Sequence, residues 1–103
     1  MKKKHWMVLP LAAAAAAAHA QTPDALYLRS LAATCANCHG TNGVAVDGSP
    51  VAGLAGLPKA HIVTQMQAFK AGTRPATIMH QIAKGYSDAQ IEQLATWFAA
   101  QKK

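Results

Sequence analysis

Two cysteines and a histidine lie within one five-residue stretch, Cys35-Ala-Asn-Cys-His39. Two thiols at this spacing can each form a thioether with one vinyl group of a single porphyrin, and the adjacent imidazole can then bind its iron. The C-x-x-C-H pattern is therefore typical of covalent haem attachment. It makes Cys35 and Cys38 the candidate attachment sites and His39 a candidate iron ligand.

The same cysteine pair has three competing interpretations. A thioredoxin-like dithiol lies beside a βαβ pattern, whereas no segment of this chain alternates with the period of a strand. A four-ligand zinc site needs more Cys or His side chains at suitable spacing, and His61 and His80 are isolated. A structural disulfide explains neither His39 nor the glycine-rich loop after it. Haem attachment accounts for more of the pattern than any of these.

A second axial ligand must come from elsewhere, and the candidates are two methionines and two histidines: Met66, Met79, His61 and His80. Met66 lies on the apolar face of a predicted helix, which favours a core role. His61 falls in the first turn of that helix, where we expect it to be solvated. Met79 follows a helix stop, in a short segment that can fold back across a porphyrin ring. We predict Met79 as the distal ligand, and His80, which would give bis-histidine ligation, is the main alternative.

The first twenty residues have the pattern of a secretory signal peptide. Three lysines precede an apolar stretch from Trp6 to Ala18, and Ala18-His19-Ala20 fits a small-x-small cleavage site. The apolar stretch would rise only about 20 Å as a helix, against a hydrocarbon core of about 30 Å. We therefore predict export to the periplasm with cleavage after Ala20, no retained membrane anchor, and one domain over residues 21–103.

Removal of residues 1–20 changes the charge argument. The chain has ten basic and four acidic side chains, and three of the basic ones lie in that segment, so the formal charge falls from +6 to +3. No basic stripe with interleaved aromatic residues remains, so nucleic-acid binding has no support. A domain of this size buries a modest core, and a cofactor at its centre would add the missing stability.

Helical periodicity and capping residues predict an all-α domain. Thr22-Pro23 begins a first helix that runs toward the cysteine motif, and residues 40–57 form a loop with five glycines. A second helix starts at Pro58 and stops at Gly72. A short helix over residues 76–83 is ended by Gly85, and Ser87 with Gln90 forms a capping box for the last helix.

The chain resembles the class I cytochromes c. The resemblance rests on Cys35-Ala-Asn-Cys-His-Gly-Thr-Asn-Gly43 and Thr77-Ile-Met-His-Gln-Ile-Ala-Lys-Gly-Tyr-Ser-Asp88, and it covers essentially the whole chain after residue 20. More narrowly, the chain is similar to the cytochrome subunit of flavocytochrome c sulfide dehydrogenase, in a single-haem form. Many class I domains have a glycine eight positions before the first cysteine, where this chain has Tyr27.

This resemblance implies a small class I fold, with several helices wrapped around one covalently bound haem c. It implies attachment through Cys35 and Cys38, His39 as the proximal ligand and Met79 as the distal one. It also implies that the second nitrogen of His39 donates to a proline carbonyl, here that of Pro50. Apolar residues should enclose the haem: Leu31, Leu54, Leu57, Ile62, Phe69, Ile78, Ile82, Leu94 and Phe98.

The expected function is periplasmic one-electron transfer rather than catalysis. The predicted partner is a redox protein, in particular the FAD-containing subunit of a sulfide dehydrogenase, of which this chain would be a non-catalytic subunit or electron acceptor. Alternatives are a free-standing shuttle to a terminal oxidase or another reductase, a haem sensor, and a thiol oxidoreductase. Four basic residues could steer an acidic partner, namely Lys59, Lys70, Arg74 and Lys84, and exposure of Tyr86 and Trp97 would favour a permanent subunit contact.

Overall fold

The computed structural model describes residues 1–3 and 22–103. The signal peptide predicted for residues 1–20 lies almost wholly outside these residues and stays a prediction. The described part forms five α-helices and one 3₁₀ turn and contains no strand, which confirms the predicted all-α class. The elements in chain order are α1 (Pro23–Ala33), α2 (Ala36–His39), a 3₁₀ turn (Thr41–Gly43), α3 (Lys59–Ala71), α4 (Met79–Ala83) and α5 (Asp88–Ala99).

The first helix begins as predicted but is interrupted before the cysteine motif. The Thr22 side chain accepts a hydrogen bond from the Ala25 N–H at 3.1 Å, and Pro23 occupies the first turn. At the other end the N–H of Thr34 bonds to Leu31 O and that of Cys35 to Ala32 O. These three-residue spacings tighten the backbone, so α1 ends at Ala33 and the motif forms a separate short helix, α2.

The predicted limits of the two longest later helices are confirmed. Pro58 precedes α3, and Gly72 ends it in the left-handed conformation, at φ +74°. Ser87 caps α5: its hydroxyl accepts from the Gln90 N–H, while the Gln90 side chain accepts from the Ser87 N–H. This reciprocal pair is the predicted capping box.

The short helix α4 starts three residues later than predicted, at Met79 instead of Ala76. Ile78 has an extended φ of −142° and its side chain gives α4 no cap. The Ile78 carbonyl accepts the first helical bonds, from the N–H groups of Gln81 and Ile82. The helix ends before Gly85, as predicted.

Helix α5 is the centre of the packing, because both α1 and α3 lie against it, and α4 packs on α3. Its buried face, with Ile91, Leu94, Ala95 and Phe98, repeats at the i, i+3, i+4, i+7 spacing seen in the sequence. Ala32 of α1 and Ile62 of α3 complete one cluster with three of these residues. No helix in the described residues is long and apolar enough to span a bilayer.

Candidate functional site

Helix α2 holds the cysteine motif in a helical backbone. Cys35 is the residue before the helix, and Cys38 and His39 are its last two residues. The helical spacing places Cys35 and Cys38 on the same side, three residues apart, and the two thiols are not joined in a disulfide. Burial raises the pKa of the Cys35 thiol, and a weak contact with the Thr34 hydroxyl lowers it by less. The raised pKa means that the Cys35 thiol is not activated as a nucleophile.

The imidazole of His39 is fixed by one hydrogen bond. Its Nδ1 lies 2.6 Å from the carbonyl oxygen of Ala52. The predicted partner, the Pro50 carbonyl, was therefore wrong. The Ser49 hydroxyl accepts from the Val51 N–H and turns the chain at this point, which leaves Pro50 exposed and brings Ala52 to the ring.

Two glycines allow the chain to fold tightly after His39. Gly40 ends α2 at φ +85°, and a Cβ there would lie 1.9 Å from the carbonyl oxygen of Val44. Gly43 has φ +75° and contacts the Phe98 ring of α5, so a Cβ would lie 2.8 Å from that ring. The Gly43 carbonyl also accepts from the N–H groups of Leu54 and Ala55. The loop after the motif is thus anchored directly on α5.

Met79 and His80, the two rival ligands, open helix α4. Both side chains are half-buried. The Nδ1 atom of His80 is buried and has no hydrogen-bond partner in the described part of the chain. Met66 lies against the core cluster, as predicted, and His61 is exposed in the first turn of α3. The two segments that carry the predicted ligands are supported by different helices, since α2 contacts α1 and α4 contacts α3.

Eight of the nine residues of the predicted apolar enclosure divide into two groups, and the ninth, Phe69, lies under the Arg74 side chain. Ile62, Leu94 and Phe98 are buried in the protein's own core, and Leu31, Leu54 and Leu57 pack on it. Ile78 and Ile82, on either side of Met79, are 57% and 36% exposed. Val44 and Val46, which follow His39, are also exposed. Apolar side chains thus lie at the surface next to both ligand-bearing segments.

These features fit a haem better than a bare metal ion. In the described residues no three His, Cys, Asp or Glu side chains converge on a point where they could hold an ion. An imidazole, a thioether and two thiols flanked by exposed aliphatic side chains match instead a flat apolar group that carries its own metal. His39 and Met79 would supply nitrogen and sulfur to the iron, and Cys35 and Cys38 would supply the attachment sulfurs.

Three of the four basic residues predicted to steer a partner are engaged within the chain. Lys59 pairs with Glu92 at 3.0 Å, Lys70 with Asp88 at 3.2 Å, and Arg74 lies over the Phe69 ring. Lys84 is exposed and forms no ion pair with the described residues. Of these four residues, Lys84 is therefore the one without an ion-pair or cation–π partner among the described residues.

The two aromatic residues considered for a subunit contact are half-buried. Trp97 packs edge-to-face on Phe98 with ring centroids 5.1 Å apart, and Tyr86 packs on the core cluster. Their exposure, which would have favoured a permanent subunit contact, is therefore limited.

Sequence reasoning missed two contacts of the site. One is the Ala52 carbonyl, because a backbone acceptor has no residue-type signal. The other is a hydrogen bond of 2.7 Å between the hydroxyls of Thr34 and Tyr86, which are 52 positions apart. Only the placement of Thr34 directly before Cys35, and of Tyr86 directly before the Ser87 cap, could have drawn attention to that pair.

Comparison with known proteins gives a consistent set of relatives. The chain is 40% identical over 74 residues to a thiosulfate dehydrogenase electron acceptor of Thiomonas intermedia, a match covering 69% of this chain and 33% of that protein. It is 37% identical over 68 residues to the cytochrome subunit of sulfide dehydrogenase of Chlorobaculum tepidum, covering 66% and 60%. Cytochrome c-552 of Acidithiobacillus ferridurans is 36% identical over 66 residues, covering 64% and 28%. No protein-family model matches the chain.

These relatives, the C-x-x-C-H motif and the all-α fold agree with the resemblance to the class I cytochromes c. The chain is similar to cytochromes c, among them the cytochrome subunit of a sulfide dehydrogenase. It spans between 28% and 60% of the length of the three relatives described. Their names are those of electron acceptors and cytochromes rather than of catalytic proteins.

Proposed function

We propose that this chain is a periplasmic one-electron carrier and not an enzyme. In this proposal residues 1–20 are a signal peptide, and residues 21–103 carry one haem c attached through Cys35 and Cys38, with His39 and Met79 as axial ligands. A haem held in this way supplies reversible transfer of one electron between Fe(II) and Fe(III). The likeness to proteins named as cytochromes and electron acceptors supports this role.

The hydrogen bond of His39 is the observation that carries the proposal. The Ala52 carbonyl can only accept, so the ring hydrogen is on Nδ1 and the lone pair is on Nε2. A neutral imidazole in this tautomer is the form that binds iron, and a carbonyl partner holds the ring in one orientation. Met79 would offer a thioether sulfur, which favours Fe(II) over Fe(III) and so raises the reduction potential relative to a second histidine.

The attachment sites are tested with the protein matured in a host that attaches haem c. We expect the wild-type mass to exceed the polypeptide mass by one haem, and the Cys35→Ser/Cys38→Ser double variant to have the bare polypeptide mass. Each single variant should retain one thioether at most, which shifts the absorption of the reduced pyridine complex. A wild-type protein that matures without covalent haem would contradict the proposal.

The distal ligand is tested by a matched pair of neighbouring substitutions. Met79→Ala should abolish the sulfur-to-iron charge-transfer band of the oxidised protein and lower its reduction potential. His80→Ala is the control and should leave both unchanged. If His80→Ala changes the spectrum and Met79→Ala does not, the iron has two histidine ligands.

The comparisons support two candidate electron donors. The flavoprotein subunit of a sulfide dehydrogenase is the first, supported by the likeness to a sulfide dehydrogenase cytochrome subunit. A thiosulfate dehydrogenase is the second, supported by 40% identity to a protein named as its electron acceptor. Stopped-flow reduction of the oxidised cytochrome by each purified dehydrogenase distinguishes them, since the physiological donor should react much faster. A free-standing shuttle would be reduced without forming a stable complex with either.

A further inference from the structure

Tyr86 joins the two segments that carry the candidate iron ligands. It lies between α4 and α5, and its hydroxyl is 2.7 Å from the Oγ1 atom of Thr34, the residue directly before Cys35. The Thr34 hydroxyl also lies 2.7 Å from the Leu31 carbonyl oxygen, which can only accept. The hydroxyl hydrogen of Thr34 is therefore donated to the Leu31 carbonyl oxygen. The Tyr86 hydroxyl must then donate to the Thr34 oxygen.

The main chain of Tyr86 is held on the opposite side by α3. The Lys70 ammonium donates to the Tyr86 carbonyl oxygen at 2.7 Å and contacts Asp88 at 3.2 Å. The Tyr86 N–H in turn bonds to the carbonyl of Ala83, the one fully buried residue of α4. Tyr86 is thus tied to α1, α3 and the end of α4 at once.

At the opposite end of α4, where Met79 lies, the described residues provide no comparable hydrogen bond from another segment. Ile78 gives the helix no side-chain cap and is 57% exposed. A five-residue helix is not stable by itself, so its position depends on tertiary contacts. Helix α4 packs on α3, and the hydrogen bond that joins its C-terminal end to the next segment comes from Tyr86, three residues beyond Ala83.

We propose that Tyr86 is a positioning residue of the haem site. Its hydroxyl holds the Met79 segment in register with the Cys35–His39 segment and thereby opposes release of the Met79 sulfur from iron. The proposal rests on the His39/Met79 ligation proposed above. Tyr86 itself supplies no ligand and acts only through the placement of α4.

The chain offers a matched control in Tyr27. Its hydroxyl accepts a hydrogen bond of 3.0 Å from Gln90, across the contact between α1 and α5. Tyr27→Phe and Tyr86→Phe therefore each remove one hydroxyl that bridges more than fifty positions of sequence. Only Tyr86 is connected to the Met79 helix.

The measurement is the affinity of free imidazole for the oxidised haem-loaded protein. Imidazole competes with the methionine sulfur, so its apparent affinity rises when the methionine is held less firmly. We expect Tyr86→Phe to raise this affinity about three- to tenfold, as expected for loss of one neutral hydrogen bond. Tyr27→Phe should change it less than twofold.

Substitutions at the acceptor separate this role from a general loss of stability. Thr34→Val removes the acceptor and should reproduce the effect of Tyr86→Phe, whereas Thr34→Ser keeps the hydroxyl and should restore the wild-type affinity. The Tyr86→Phe/Thr34→Val double variant should be no more affected than either single variant, because both remove the same bond. Denaturant unfolding of every variant records the global stability in parallel.

The outcomes distinguish the two proposals. If Met79→Ala leaves imidazole affinity unchanged, Met79 is not the ligand and the ligation proposal fails. If Met79→Ala raises the affinity but Tyr86→Phe behaves like Tyr27→Phe, the ligation stands and the positioning role of Tyr86 is overturned.

Discussion

The contact of α1 with α5 and the short helix α4 are built in contrasting ways. Both α1 and α5 begin at a side-chain cap, and α5 buries Ile91, Leu94, Ala95 and Phe98. Helix α4 has five residues, no side-chain cap and a single buried residue, Ala83. The protein's own buried side chains thus stabilise the scaffold, whereas the Met79 segment depends on its packing against α3, on a few hydrogen bonds and on the group it is proposed to ligate.

The side-chain hydrogen bonds of Tyr27 and Tyr86 show the same contrast. Gln90 uses both ends of its amide, since Oε1 caps Ser87 and Nε2 donates to Tyr27, so the Tyr27 bond adds to an end that is already capped. The hydroxyl bond from Tyr86 to Thr34, by contrast, does not add to an existing helix cap. A class I domain with a glycine in place of Tyr27 would bring the two helices together without a hydrogen bond, so here a tyrosine–glutamine pair contributes to that contact.

The largest expected difference between the two regions is in the stability lost when an isoleucine side chain is shortened. Ile91→Ala should lower the free energy of unfolding of the haem-loaded protein by about 2–5 kcal/mol, because Ile91 is fully buried in α5. Ile82→Ala, the same change in α4, should lower it by less, because the protein's own side chains leave Ile82 36% exposed. Denaturant unfolding followed by far-ultraviolet circular dichroism measures both. Equal losses would mean that α4 is packed as firmly as α5.

A smaller effect is expected where the loop after His39 meets α5. Gly43 and Gly48 both have φ +75°, but a Cβ at Gly43 would lie 2.8 Å from the Phe98 ring, whereas nothing lies within 4 Å at Gly48. Gly48→Ala should destabilise the protein by about 1–2 kcal/mol from backbone strain alone. Gly43→Ala should cost about 1–3 kcal/mol more, from overpacking.

The same unfolding measurement compares the two glycine variants. Similar losses for Gly43→Ala and Gly48→Ala would show that the loop is free to move away from Phe98. In that case the anchoring of the haem-motif loop on α5 would be weaker than the geometry indicates.

The sequence predicted those parts of the fold that depend on local signals. Thr22-Pro23, Gly72 and the Ser87–Gln90 pair act within one turn of their helices, so the residues that cap or stop each helix could be identified without tertiary information. The i, i+3, i+4, i+7 pattern of α5 likewise identified its buried face, because one face of a helix buries the same residues whatever packs against it.

The failures of prediction all involve backbone bonding. The break at Thr34 and the late start of α4 depend on backbone bonding that residue types do not encode. Choosing between the Pro50 and Ala52 carbonyls required knowing how Ser49 turns the loop. The ligand residues themselves were predicted from motif and resemblance, and their roles stay predictions until the haem-loaded variants are measured.

The smallest expected effect lies where α3 meets the start of α5, beside Tyr86. The Asp88 carboxylate accepts hydrogen bonds from Gln67 at 3.0 Å and Lys70 at 3.2 Å. The Gln67 bond and then the Lys70 bond and charge hold the pKa of Asp88 below its ordinary value of 3.8. A lowered folded-state pKa stabilises the fold above the ordinary pKa, and this stabilisation is lost as the pH falls through the folded-state value.

Asp88→Asn should therefore lower stability slightly at pH 6, and the difference should decrease as the pH falls through the folded-state pKa of the wild-type carboxyl. Because Asp88 is exposed, the difference at pH 6 should shrink further in 1 M salt, which screens the Lys70 charge. Unfolding of both proteins across this pH range, at low and high salt, gives the comparison. A difference that does not decrease as the pH falls would assign the contribution of Asp88 to its place in the first turn of α5. One that disappears would assign it to the ionised contact with α3, the helix that also holds the main chain of Tyr86.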